Sequence, residues 1–201
     1  MPRPKTLSDT DVLTAAHRLI HQHGPAALTF ANVAEACGLS SATLVQRFGS
    51  KAGLVQSTLL YAWDRLDEKT ERLAATVPKT IDGAIALLVA LSRDYGGIES
   101  YADGLLILHE DLRDPVLRAR GVAWKVSLSS ALESCFSQVP HTPHGMGLLM
   151  ASQWQGSLLW WSFDPQGDVE SFVEDSLNRF VSAFFGREPA VLSESTGEAA
   201  Q

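Results

Sequence analysis

Three features of this 201-residue chain predict an all-α fold. Apolar residues recur at helical spacing along nearly its whole length, no stretch of period-two alternation bounded by turns is long enough to argue for a sheet, and the interruptions fall at residues that stop or cap helices. The first helix starts at Ser8-Asp9-Thr10-Asp11, where a serine and a carboxylate three residues on can satisfy the orphan N–H groups, and ends at Gly24-Pro25. Its apolar face is Val12, Leu13, Ala16, Leu19 and Ile20. A short second helix is capped by Thr29 and places Phe30, Val33, Ala34 and Cys37 at i, i+3, i+4 and i+7 before Gly38 stops it. Leu39 follows as a buried plug, Ser40 caps a third helix, and Leu44 and Phe48 share one of its faces.

Gly49-Ser50 ends the third helix and caps a long fourth one, from Lys51 towards Val77, which Pro78 closes. Further helices are expected from Thr80 to Tyr95, from Tyr101 to about Leu112 and from Pro115 to Ser137, with Pro115 suited to a first helical turn. After a proline-containing loop, Val139 to Pro143, two more run from His144 to Phe163 and from Asp168 to Phe185. Small and acidic residues from Gly186 onward read as a disordered tail. The expected organisation is a small unit over 1–53, a larger helical unit over 54–186, and the tail over 187–201.

The formal net charge of −7 argues against a protein that coats polyanions, yet charge is unevenly placed. Residues 1–53 carry five Lys or Arg against three Asp or Glu, so the acidity belongs to the remainder. A slightly basic head on an acidic body suits a small DNA-contacting module joined to something that should stay off DNA. The two cysteines, Cys37 and Cys135, lie far apart in apolar surroundings, as expected of reduced thiols in a cytoplasmic protein, and the polar N-terminus has no secretory apolar run. The uncharged stretch Gly145–Phe163 has the length of a membrane span. Gln153 and Gln155 near its centre and the lack of a basic flank favour burial within protein instead.

Two short helices joined by Cys37-Gly38-Leu39-Ser40 make a helix-turn-helix pattern, in which glycine permits the tight turn that crosses the second helix over the first. The second helix then enters the major groove with its N-terminal residues near base edges. The candidate DNA contacts are Thr29 and Asn32 at the start of the second helix, with Ser40, Ser41, Ala42, Thr43, Gln46 and Arg47 on the third. Arg47 could pair with guanine or phosphate and Gln46 with adenine, while Thr43 or Ala42 could touch a thymine methyl. Lys51, in the first turn of the long helix, can hold a phosphate together with free N–H groups, and Arg3 and Lys5 form an arm that can reach a neighbouring groove.

The stretch from Leu28 to Lys51 resembles the signature of the TetR family: a threonine-capped helix, the glycine turn, Thr43-Leu44, Phe48 and Ser50-Lys51. It departs where the family usually has an aromatic pair after Thr-Leu, since Val45-Gln46 stands there, so a tyrosine contact to phosphate is missing. The resemblance covers about the first quarter of the chain and continues downstream only in length and helical plan. It implies a homodimeric regulator that binds operator DNA, a repressor that leaves DNA when a small effector binds.

The last helix carries Phe172, Val173, Leu177, Phe180, Val181 and Phe184 as one wide apolar stripe that can cover the uncharged helix before it. Two such helices from each of two copies would close a four-helix bundle, where the resemblance also puts the dimer interface; Leu159 and Trp160 are expected to join it. The inward side of the body supplies a candidate pocket for a mostly apolar effector. Trp63, Tyr95, Tyr101, Trp124 and Trp154 are its aromatic walls, with Leu105, Leu128, Met150 and His109 between them. Such aromatics also serve as plain core.

No phosphate-cradling glycine loop, nucleophile elbow or zinc-hydrolase motif is present, so no catalytic residues, metal ligands or cofactor are expected. His17 and His21, one turn apart, are read as lying on the solvent side of the first helix. The alternative to a DNA-bound regulator is an all-helical carrier or enzyme that uses the aromatic cavity without DNA.

Overall fold

The computed structural model describes residues 7–93 and 97–186. Arg3, Lys5, Tyr95 and the tail 187–201 lie outside the described residues. Among those described, every regular element is helical: α1 (Asp9–His23), a 3₁₀ turn (Pro25–Ala27), α2 (Phe30–Cys37), α3 (Ser41–Phe48), α4 (Lys51–Thr76), α5 (Ile81–Ser92), α6 (Ile98–Arg113), α7 (Pro115–Cys135), α8 (Met146–Phe163) and α9 (Val169–Phe185). The all-α expectation holds.

The caps set the boundaries. Ser8 and Asp11 form a reciprocal capping box at the start of α1, and Thr29, Ser40, Ser50, Thr80, Asp114 and Asp168 each accept a backbone N–H at the N-terminus of their helix. α6 begins at Ile98, earlier than the expected Tyr101; its N-cap, Gly97, offers no side chain to signal the start. α5 ends at Ser92, short of the expected Tyr95.

The buried residues form two clusters. The larger holds one face each of α5, α7, α8 and α9 around Leu88, Leu132, Met150, Trp154 and Leu177. The smaller packs α1, α2 and α3 around Val12, Ile20, Val33 and Leu44, and draws in Leu54 and Leu59 of α4 and Leu117 of α7. Head and body therefore share packing: residues 1–53 do not complete the smaller core alone.

The uncharged α8 is covered on several sides by α7, α9 and α5, which buries Met146, Met150, Trp154, Leu158 and Trp161. No helix among the described residues is long and apolar enough to cross a membrane. α8 crosses α7 at Gly147, where a Cβ would run into the backbone of Ser129 and Glu133. The α8 N-terminus has no side-chain cap of its own; the Glu133 carboxylate accepts from the N–H groups of Gly145 and Gly147, at 3.2 and 2.5 Å.

Of the expected stripe on α9, Val173, Leu177 and Val181 are at most 2% exposed inside the protomer's own core. They are corrected from contact surface to core, because steps of four residues keep them on the ridge that faces α5 and α8. Phe172 and Phe180 are half-buried and Phe184 exposed on the adjoining ridge, and Leu159, Trp160 and Phe163 stand exposed on α8.

Candidate functional site

The turn between α2 and α3 is built by Gly38, whose φ of 65° lies in the left-handed region that disfavours side chains. Its N–H and that of Leu39 close onto Glu35 and Ala34 carbonyls. Ser40 then starts α3 by accepting the Thr43 N–H at 3.1 Å, and its hydroxyl lies 2.9 Å from that of Thr43. Leu44 is fully buried and Phe48 half-buried against the smaller core, which turns Ser41, Ala42, Val45 and Gln46 outward. Helix α3 therefore presents a small, polar, protruding face beside the exposed Lys51 at the start of α4.

Three candidate contacts have structural duties. The Thr29 hydroxyl accepts the Asn32 N–H at 3.1 Å, and the Asn32 amide donates to the Ala27 carbonyl at 2.8 Å, so this pair shapes the entry to α2. Arg47, whose side chain is 21% exposed, donates to the Leu7 carbonyl at 2.8 Å and lies 3.4 Å from Asp9. Expected to read a base or a phosphate, its side chain here ties α3 to the start of α1. Its reach made this alternative invisible in the sequence.

Where α1 meets the body, two adjoining chambers of about 240 and 230 Å³ share His17, Ile20 and His21 of α1, Ala62 and Leu66 of α4 and Ile107 of α6. Trp124 and Trp154 line the first chamber together with Leu91, Arg65, Lys69, Ser100, Asp103 and Gly104. Trp63 lines the second with Leu59 and Asp111. Among the described residues, the other expected lining residues lie elsewhere. Tyr101 and Met150 are core, and Leu128 borders a separate hollow near Leu148. Leu105 and His109 are exposed and are corrected from lining to surface, since Ser100, Asp103, Gly104, Ile107 and Asp111 form the inward ridge of α6.

The solvent-side placement of His17 is also corrected. It is half-buried, with its Nε2 3.1 Å from that of His21 and its ring 6.0 Å from that of Tyr61. Burial, then the nearby His21 and Arg65, lower its pKa to about 4. No group of three or more His, Cys, Asp or Glu among the described residues is placed to hold a metal. Cys37 and Cys135 are free thiols, each with its pKa raised first by burial.

Several side chains fasten the head to the body. The Thr14 hydroxyl meets Tyr61 OH at 2.9 Å between head and body, while within the body Gln56 donates to Asp114 at 2.7 Å and the Trp63 indole donates to Asp111 at 3.1 Å. Burial raises the Asp111 pKa, opposed by that hydrogen bond. Asp103 packs against Gly24, beside the 3₁₀ turn. Sequence reasoning missed these contacts because each joins residues distant in sequence.

Residues 12–58 match the model of the family described as bacterial regulatory proteins, tetR family. Over 84 residues, 42% of this chain, the sequence is 33% identical to the HTH-type transcriptional repressor ComR of Escherichia coli strain K12, and the match spans 40% of that protein's length. The fold is similar over most of its length to a putative transcriptional regulator from Saccharomonospora viridis solved with choline: TM-score 0.66, 18% identity, 85% of this chain and 93% of that one. It is also similar to AibR in complex with isovaleryl coenzyme A and operator DNA: TM-score 0.58, 21% identity, 88% of this chain and 97% of that one. The matched stretch contains the glycine turn and Ser50-Lys51, so residues 12–58 carry the N-terminal pattern of the tetR family of bacterial regulatory proteins, and the rest of the chain is similar in fold to those two solved structures.

Proposed function

We propose that the protein is a cytoplasmic, homodimeric transcriptional repressor that binds operator DNA through α2 and α3 and leaves it when a small effector occupies the body. The observation that carries this reading is the α3 face: Ser41, Ala42, Val45 and Gln46 stand exposed on a helix whose other side is locked into the head by Leu44. A helix held in this way can enter a major groove, with Ser41, Ala42, Thr43 and Gln46 near base edges and Lys51 on phosphate. Ser40 serves as the cap that aims them, Thr29 and Asn32 brace the helix before, and Arg47 braces the segment leading to the Arg3 and Lys5 arm.

Residues 1–53 supply the DNA contacts in this reading and 54–186 the effector and dimer surfaces. Leu159, Trp160, Phe172, Phe180 and Phe184 are the proposed dimer contacts, supported by the exposed aromatics on α8 and α9. A single recognition helix reads too few bases to select a site, whereas a two-fold dimer reads two half-sites. The choline-bound and operator-bound neighbours lend support only through fold. α4 and the cleft give a route for release, because α4 begins at the phosphate anchor and forms a cleft wall at Ala62 and Leu66.

Fluorescence anisotropy with a labelled duplex from upstream of the protein's own gene tests the reading. The expected result is saturable binding that unlabelled copies of the same duplex compete away and an unrelated duplex does not. No binding to either duplex would favour the carrier or enzyme alternative, and equal competition by both would overturn sequence-specific operator recognition.

A further inference from the structure

The chamber between α1 and the body is mostly apolar inside and polar at its edge. Leu66, Ile107, Trp124 and Trp154 make the apolar part, and none of the indole N–H groups is free for a ligand: Trp124 donates to Thr70 at 3.0 Å and Trp154 to Ser92 at 2.8 Å. What the indoles offer is aromatic surface. At about 240 Å³ the chamber is smaller than pockets for drug-sized molecules and suits a single ring with a short chain.

Around the apolar part stand Arg65 and Lys69, one helical turn apart on α4, and the His17–His21 pair on α1. Opposite them, the Asp103 carboxylate is turned to the backbone at Gly24. The Arg65 guanidinium is paired with Glu68 at 2.7 Å, but both side chains are more than half exposed, and such pairs are easily exchanged. We propose that this chamber binds a small aromatic carboxylic acid, its ring on Trp124 and Trp154 and its carboxylate held by Arg65 and Lys69. The lowered pKa of His17 comes first from burial, and the smaller contributions of His21 and Arg65 mark the same cationic edge of the chamber.

The inference deepens the regulator reading by naming the effector's class and rests on that reading for its regulatory meaning. It also gives the effector a direct hold on the head: one occupant would touch α1, which packs on the recognition unit, and α4, which carries Lys51. Gly104 gives the chamber its width, because a Cβ there would meet no other atom within 4 Å.

The test uses the full chain without DNA, so that it fails or succeeds independently of operator binding. Calorimetric titrations compare 3-phenylpropanoate with its amide, 3-phenylpropanamide, and with the cation 3-phenylpropylammonium. The acid is expected to bind about tenfold more tightly than the amide, as charge-assisted hydrogen bonds imply, and the cation most weakly. The double variant Arg65→Gln, Lys69→Gln should bring the acid to the affinity of the amide and leave the amide unchanged. Gly104→Leu, which fills the chamber on a helix that tolerates leucine, should abolish binding of both with the melting temperature retained. The proposal is overturned if the cation binds as tightly as the acid, if acid and amide do not differ, if no probe binds at millimolar concentration, or if Gly104→Leu binds like the parent.

Discussion

Lys51 sits exposed in the first turn of α4, where Ser50 accepts the Gly53 N–H. A cation at that place adds to the field of the helix N-terminus, and both attract one phosphate. Lys51→Ala is therefore expected to weaken DNA binding similarly for all sequences and to reduce the slope of log affinity against log salt by about one per half-site, measured by anisotropy between low and moderate salt. His17 gives a second prediction. Its folded pKa of about 4 lies below the ordinary value of 6.5, so between those limits the unfolded chain binds more protons than the folded one. His17 should thus be neutral to stability above pH 6.5 and increasingly destabilising as the pH falls towards 4, and His17→Gln should flatten the fall of melting temperature over that window. The charged and titratable groups nearest it, His21, Arg65, Tyr61 and Asp103, are unchanged in that variant. The capping residues were legible in the sequence because a cap and its partner lie within three positions. The roles of His17 and Arg47 were not, since each is defined by a neighbour some forty residues away, Tyr61 for one and Leu7 for the other.

Among the elements, α8 and α9 show how far periodicity reaches. The apolar residues of α9 read as one stripe, but the structure divides them between a ridge at Val169, Val173, Leu177 and Val181, buried in the protomer, and a neighbouring ridge at Phe172, Phe180 and Phe184. A helical wheel gives the width of such a stripe and not the line along which one partner ends and the next begins. Two substitutions separate these functions. Phe180→Asp should shift a dimer to monomers in sedimentation velocity at micromolar concentration while far-ultraviolet dichroism stays helical. Gly147→Ala, at the close crossing of α7 and α8, should instead destabilise the protomer by about 1–3 kcal/mol in urea unfolding, since the added methyl group meets backbone that cannot step aside. On α6 the sequence reading chose the wrong ridge: Tyr101, Leu105 and His109 drift around the helix, while Gly104 and Ile107 face the cleft. A glycine and two polar residues, Ser100 and Asp103, on the inward face gave the pattern no apolar stripe to follow.

At the scale of the whole molecule, the chain joins a compact reading head to a helical body through shared packing rather than a linker. Leu54, Leu59 and Leu117 complete the smaller core from α4 and α7, and Tyr61 adds a hydroxyl contact to Thr14 across the joint. In the proposed dimeric regulator an occupant between α1 and α4 would act on the head through both helices, and linkage would then require operator to weaken effector binding by the factor with which effector weakens operator binding. The central claim is that two such heads read one duplex together. Two recognition helices on a two-fold dimer must enter successive major grooves roughly 34 to 36 Å apart. Hydroxyl-radical footprinting on DNA from upstream of the protein's own gene measures this directly. The account predicts two protected patches on one face of the duplex, related by two-fold symmetry and centred about one helical turn or a whole multiple of it apart. A single unsymmetrical patch, or uniform protection without preferred positions, would contradict it.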